Sequence, residues 1–204
     1  MTTPDIQIKD CFKSIKKPST GLYKDKGSKF LAFAYPVESE EQVKEIVAGI
    51  KKEYFDARHH CYAYRLGHTG EKWRMNDDGE PSSTAGKPIL GQILSNDLRD
   101  LLIVVVRYFG GILLGTSGLI AAYKSAAAEA IAAAETVEKI ACEPYNLSFG
   151  YLQMNEVMKA LKDMHLTPTN QNFGNSCSLD VQMRLSMVEQ FKNILKNITV
   201  CPKI

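Results

Sequence analysis

The run Leu101-Leu102-Ile103-Val104-Val105-Val106-Arg107-Tyr108-Phe109-Gly110-Gly111-Ile112-Leu113-Leu114-Gly115-Thr116-Ser117-Gly118-Leu119 decides how the chain folds. Between Leu101 and Tyr123 the only charged residue is Arg107. A membrane-spanning helix needs about 20 apolar residues, so length alone would admit one. Arg107 would then lie in hydrocarbon at a cost of a few kcal/mol or more, and four glycines would interrupt the helix. Leu101–Tyr108 is read instead as a strand buried on both faces, followed by a glycine loop and an alanine-rich helix opening near Gly118. Leu119, Tyr123, Ala126, Ala127, Ala130, Ile131 and Ala134 would line its inner face.

Upstream, Phe30–Val37 reads as a strand. Ser39 and Gln42 form a capping-box pair ahead of Val43, Ile46, Val47 and Ile50 at helical spacing. His60–Arg65 and Lys72–Met75 read as two more strands across a Gly67–Gly70 turn. Asn76-Asp77-Asp78-Gly79 is a tight turn, and Pro88 suits the start of a short helix over Ile89–Leu94. Residues 1–30 carry Lys9, Lys13, Lys16, Lys17, Lys24, Lys26 and Lys29 against Asp5, Asp10 and Asp25, and read as a solvated, partly loose terminus.

Downstream of Ile140 the pattern changes. A strand over Ala141–Phe149 precedes a helix with Leu152, Val157, Met158, Leu161 and Met164 inward. Strand-like runs at 166–173 and 177–185 meet at Gly174, and a Ser186/Glu189 capping box opens a helix lined by Val188, Phe191, Ile194 and Leu195. Ile198–Cys201 closes a β-α-β-β-α-β order, the ferredoxin-like arrangement. The fold class is therefore α+β with two domains, 1–138 and 139–204.

Composition agrees with an ordinary globular protein: 204 residues, 45% hydrophobic, 24% charged and a net charge of +2, too small to argue for nucleic acid by itself. The cysteines (Cys11, Cys61, Cys142, Cys177 and Cys201) are scattered without a C-x-x-C, which fits a reducing compartment. The first residues lack the apolar stretch of a secretory signal, so the expected location is cytoplasmic. Nothing in the pattern sets an oligomeric state.

Two loops lie immediately before helices, where free backbone N–H groups and the helix dipole favour anions. The first spans Gly79–Lys87 and includes Ser82, Thr84, Gly86 and Lys87. Six residues separate its glycines where a P-loop has four, and Pro88 takes the Ser/Thr position, which disfavours an ordinary NTPase. The second, Gly110–Gly118, begins with Gly110 and Gly111 and lacks the dinucleotide-binding spacing. No nicotinamide, flavin or other cofactor is expected. Arg65, Arg74, Lys87 and Arg107 lie at strand ends or loop edges, interleaved with Tyr62, Tyr64, Tyr108 and Phe109. Their convergence would make a surface for phosphates and bases. The same aromatics also read as core, and Arg65 or Arg74 as paired with Asp77, Asp78 or Glu80. His59 and Cys61 should face one side of a strand and His60 the other, so zinc is disfavoured. Asp77, Asp78 and Glu80 form a polar cluster with His59 and His60. Under an enzyme reading the carboxylates would hold Mg²⁺ and a histidine would act as acid or base on a small phosphorylated or nucleotide substrate. A third reading is a protein-binding regulator that uses the sheet of the C-terminal domain.

His59-His60-Cys61-Tyr62-Ala63-Tyr64-Arg65, Asp77-Asp78-Gly79-Glu80-Pro81, Thr84-Ala85-Gly86-Lys87-Pro88-Ile89-Leu90 and Val105-Val106-Arg107-Tyr108-Phe109-Gly110-Gly111 closely resemble motifs of the YigZ/IMPACT family, in family order and over roughly residues 20–135. The resemblance implies an N-terminal α/β sandwich like the second domain of a small-subunit ribosomal protein. It also implies a ferredoxin-like C-terminal domain like the last domain of elongation factor G. Eukaryotic relatives carry a further interaction domain and regulate translation by competing for a kinase activator; the family supplies no agreed catalytic residues. Ser83 and Ser117 stand where relatives often have glycine, and Ala121 where a basic residue is usual. The expectation is a non-catalytic binding protein with no metal, engaging RNA, a ribosome-associated protein or another phosphate-rich partner, with no membrane contact.

Overall fold

A computed structural model describes residues 10–174, 176–196 and 198–203. Lys9 and Asp5 of the basic run lie outside the described residues. Two compact units emerge. Residues 12–139 form one; Asp10 and Cys11 group with residues 140–203 in the other.

The first unit is built on a five-stranded antiparallel sheet. Its strands are β2 (Ser19–Asp25), β3 (Ser28–Pro36), β4 (His59–Leu66), β5 (Lys72–Asn76) and β6 (Leu101–Tyr108), in spatial order β2-β3-β6-β4-β5. Leu101 to Arg107 are all buried because β6 is the central strand and helices cover both faces. Helix α1 (Glu40–Glu53) covers one face, where Val43 and Ile50 meet Tyr64, Leu102, Val104 and Val106. Helices α2 (Gly86–Ser95) and α3 (Gly115–Ala132) cover the other, where Ile89, Ile93, Tyr123, Ala126 and Ala130 meet Phe30, Ala32, Cys61, Ala63 and Val105. The strand period of two sends alternate side chains of β6 to the two cores. Small residues let α3 lie close: a Cβ on Gly21 of β2 would stand 2.4 Å from the Ala130 nitrogen. Two short strands, β1 (Cys11–Ile15) and β7 (Thr136–Ile140), pair separately.

Several expectations are corrected. The described part of the basic N-terminal run is not loose: it forms β1, β2 and the hairpin into β3, because alternating residues such as Phe12, Tyr23 and Phe30 pack inward. Helix α2 begins at Gly86, ahead of Pro88, and α3 at Gly115, ahead of Gly118. At α1, Ser39 Oγ accepts the Gln42 N–H at 3.3 Å, but the Gln42 side chain accepts from Glu38 N–H, one residue earlier than a capping box requires.

The second unit contains β8 (Cys142–Gly150), α4 (Met154–Asp163), β9 (Pro168–Phe173), β10 (Ser176–Arg184), α5 (Val188–Ile194) and β11 (Thr199–Pro202), which is the β-α-β-β-α-β order. Its antiparallel sheet runs β11-β8-β10-β9. Leu147, Phe149, Leu179 and Val181 meet Val157, Leu161 and Phe191 on one face. On the other, Asp180 accepts hydrogen bonds from Asn146 (2.9 Å), Asn170 (2.8 Å) and Lys203. Those donors, Asn146 first, hold its carboxyl well below the ordinary range. Leu152 is not inward: it is 98% exposed on a one-turn 3-10 helix (Tyr151–Gln153), which rotates it off the α4 face. Met158 and Ile194 are likewise exposed. Ser186 lies inside a second 3-10 turn (Leu185–Met187) and caps nothing, since α5 is preceded by Met187. No helix among the described residues is long and apolar enough to cross a membrane.

Candidate functional site

The two glycine loops do meet. At one end of the five-stranded sheet, β4 begins beside the end of β6, with His59 opposite Arg107 in register. Pro81 and Glu80 of the first loop, Phe109, Leu113 and Leu114 of the second, and Gly115, Thr116 and Leu119 of α3 enclose a cleft of about 440 Å³ with Arg58, His59 and Arg107. Its walls are mostly apolar. Its floor is an ion pair.

Arg107 is the only charge in β6, and it is buried; such a cation needs a buried partner. Glu80 supplies it, with Oε1 2.6 Å from Arg107 Nη1, and the two side chains are only 3% and 7% exposed. Tyr123 donates its hydroxyl to the same Oε1 at 2.8 Å, and His59 Nε2 lies 3.9 Å away. Both hydrogen bonds fall on Oε1, leaving Oε2 without a partner among the described residues. Arg107 Nε is buried and has no hydrogen-bond partner. The guanidinium also stacks near Phe30 and Phe109, 5.5 and 5.9 Å from their ring centres. Behind this pair, Cys61 Sγ lies 3.3 Å from Tyr123 Oη and 3.0 Å from the Asp77 carbonyl oxygen. Burial pushes the Cys61 thiol and the Tyr123 hydroxyl far above their ordinary pKa values, so both stay neutral.

The anion site at the first loop is already filled from within. Asp77 Oδ1 accepts from the N–H groups of Ala85 and Gly86, and Oδ2 from Ser83 N–H, at 2.8–3.0 Å. A carboxylate of the chain itself thus sits at the α2 N-terminus, where an external phosphate was expected. Thr84 returns its hydroxyl to the Pro81 carbonyl, and Ser82 and Lys87 are exposed at the rim of this turn. Gly86 is buried against the Asn76 backbone.

Arg65 and Arg74 do not join Arg107. Arg65 pairs with Leu101, six residues along β4 from His59, a separation of about 20 Å at strand rise. Its guanidinium is engaged by Asp97 and by the carbonyls of Gly70 and Leu98. Arg74 lies opposite Tyr64, whose side chain belongs to the α1 face, so Arg74 faces away from the cleft. The expected four-cation convergence therefore reduces to Arg107. It comes neutralised.

The Mg²⁺ cluster is also corrected. Asp77 faces backbone amides; Asp78 accepts from Lys51 (2.7 Å) and His60 N–H (2.7 Å); Glu80 is held by Arg107 and Tyr123. Although burial pushes Asp78 up, Lys51 and the His60 N–H more than compensate, and its carboxyl lies below its ordinary value. Among the described residues no group of three or more such side chains could hold a metal ion. His59 donates Nδ1–H to the Asp78 carbonyl, and His60 donates Nε2–H to the Tyr54 carbonyl on the opposite face, as strand alternation requires. Only His59 lines the cleft.

A second hollow, on the α1 face of the sheet and so opposite the cleft, shares one residue with the first. Lys24, Lys29, Leu22, Leu31, Gly27, Tyr108 and Phe109 line about 470 Å³, so Phe109 is a wall common to both. Lys24 and Lys29 face each other across the β2–β3 hairpin and, like Lys26 and Arg58, are exposed. None of these four cations is ion-paired with another described residue. The hairpin tip and the second loop touch through backbone: a Cβ on Gly110 would lie 1.9 Å from the Gly27 carbonyl carbon. Gly110 N–H donates to Ser28 Oγ at 3.2 Å. Sequence reasoning assigned Lys24 and Lys29 to a loose terminus and gave Arg58, Leu113 and Leu114 no role. The available signal was Arg107 itself, a charge in an apolar strand that demanded a buried carboxylate.

Residues 26–131 match the family model described as the Impact N-terminal domain. The IMPACT family member YigZ of Escherichia coli (strain K12) is 33% identical over 176 residues, covering 85% of this chain and 86% of that protein. The IMPACT family member YvyE of Bacillus subtilis (strain 168) is 30% identical over 172 residues, covering 84% and 79%. A solved structure described as that of a hypothetical protein superposes with a TM-score of 0.77 at 29% identity, covering 97% of this chain and 99% of its own. With half the chain matching the domain model and relatives matched over most of their length, the chain belongs to the IMPACT family.

Proposed function

We propose that the chain is a non-catalytic binding protein that engages RNA and regulates translation, using the end of the sheet where the two glycine loops and the β2–β3 hairpin meet. The observation that carries this reading is a set of exposed cations with no ion pair among the described residues, Arg58 lining the cleft, Lys26 at the hairpin tip and Lys24 with Lys29 on the opposite face of the sheet, with Phe109 lining both hollows. Cations track a phosphate backbone while an aromatic ring offers a base a stacking surface. Family membership supports the link to translation, the role that the resemblance implies for eukaryotic relatives. The enzyme reading has less support because the carboxylates meant for Mg²⁺ are committed to amides, Lys51 and Arg107.

Gel mobility with single-stranded RNA across a salt series tests it. Binding should weaken steeply as salt rises. Replacing both lysines, Lys24→Glu with Lys29→Glu, should flatten the log–log slope by about 1.4, at roughly 0.7 per lost phosphate contact. Absence of a shift at low salt would overturn the proposal.

A further inference from the structure

The cleft and the lysine hollow offer different chemistry, and the cleft is poorly made for phosphate. Glu80 cancels the charge of Arg107, and apolar side chains surround both. A phosphate placed there would approach a buried carboxylate. Beneath the floor a donor and an acceptor stay unspent: the buried, unpartnered Nε of Arg107 lies in the same ion pair as Glu80, whose hydrogen bonds are both taken by Oε1. The pair is rigid, because Tyr123 fixes the carboxylate and Phe30 and Phe109 flank the guanidinium.

We propose that this cleft receives one unstacked nucleobase of a single-stranded RNA, a reading that rests on the RNA-binding function proposed above. Every nucleobase carries a hydrogen-bond acceptor beside a donor on its pairing edge, and single-stranded recognition works by splaying bases out against apolar and aromatic side chains. The edge of the base meets Arg107 and Glu80, and its faces lie between Pro81 of the first loop and Phe109 and Leu113 of the second. At about 440 Å³ the cleft is in the range of small-ligand sites, suited to one nucleotide and far too narrow for a duplex. Its sugar-phosphate leaves past Gly115 and Thr116, where the first amides of the 18-residue helix α3 have no side-chain cap and line the same cleft. Past Phe109 the strand crosses to the α1 face of the sheet, where the next phosphates meet Lys24 and Lys29. Base and backbone are thus read by separate walls.

Separate walls can be tested separately. Fluorescence anisotropy would compare an oligoadenylate of about ten nucleotides with a ribose-phosphate strand of the same length lacking bases. The base-bearing strand should bind about tenfold or more tightly, since stacking one base contributes roughly 1–3 kcal/mol. Leu113→Ser should remove most of that advantage, leaving the abasic affinity and the melting temperature unchanged, and Phe109→Ala should remove it as well. Leu113 is 82% exposed, so its substitution tests the cleft and not the fold. The double lysine variant should weaken both strands alike. Equal binding of the two strands by the unaltered protein overturns the base pocket while the RNA function stands. A base advantage that survives both cleft variants also overturns it. Binding of neither strand at low salt overturns both proposals together.

Discussion

Arg107 occupies a strand otherwise made of aliphatic side chains, and Glu80 is what makes that tenable. Removing one partner of a buried pair leaves the other uncompensated. Glu80→Ala should therefore lower unfolding stability by about 3–5 kcal/mol, read from the urea midpoint. Glu80→Gln should cost less, because it keeps an acceptor for Tyr123 Oη. Ser83 makes a different kind of demand. Its φ of +64° lies in the left-handed region, where a side chain is strained and glycine is not. Ser83→Gly should stabilise the protein by up to about 1 kcal/mol, measured by the same titration. Ser117 carries no such strain, because it lies within α3. The two serines looked alike in the sequence, and only the backbone separates them.

At the scale of elements, the contact between the β2–β3 hairpin and the loop after β6 fixes one wall of the site. Gly110→Ala would drive a methyl group into the Gly27 and Ser28 backbone, so the hairpin tip must move. The expected cost is about 1–3 kcal/mol, with faster amide exchange in β2 and β3 as the local signature. Gly111→Ala, into open space at a φ of +88°, should cost about 1 kcal/mol and leave the hairpin alone. This contact also marks the limit of what was legible beforehand. Strand β6 and the alternation of His59, His60 and Cys61 could be read from local pattern, because period-two burial is written residue by residue. The ferredoxin-like order was legible for the same reason. Helix starts moved by two or three residues where Asp77, a remote carboxylate, caps α2, a contact that no local pattern encodes. Leu152 was misplaced because a single 3-10 turn shifted the phase of an otherwise amphipathic helix. In the site, the meeting of the two loops was anticipated. Its charge balance was not, because the partner of Arg107 is set by register across the sheet, as is the remoteness of Arg65.

For the molecule as a whole, the division into units leaves a signature in acid. Asp10 is joined to Arg184 by two hydrogen bonds, at 2.6 and 3.2 Å. Hydrogen bonding to Arg184, aided by Ser186, lowers its carboxyl from 3.8 to about 2. A carboxyl lowered by folding stabilises the native state above its unfolded pKa, and that contribution disappears as pH falls through the folded value. Urea midpoints should therefore fall between about pH 4 and pH 2, and Asp10→Asn should flatten that limb while lowering stability at neutral pH. An unchanged acid limb in Asp10→Asn would remove this assignment.

The same clasp joins residues 174 positions apart, and the whole of the other unit falls between them in the sequence. A chain made from its first residue onward exposes Asp10 early and Arg184 late, a wait of about 10–35 s at ordinary elongation speeds. Once Lys139 is made the inserted unit has every strand it needs, while the split one still lacks β8 to β11. Birth order and domain order therefore differ: the inserted unit is complete in sequence before the split one is.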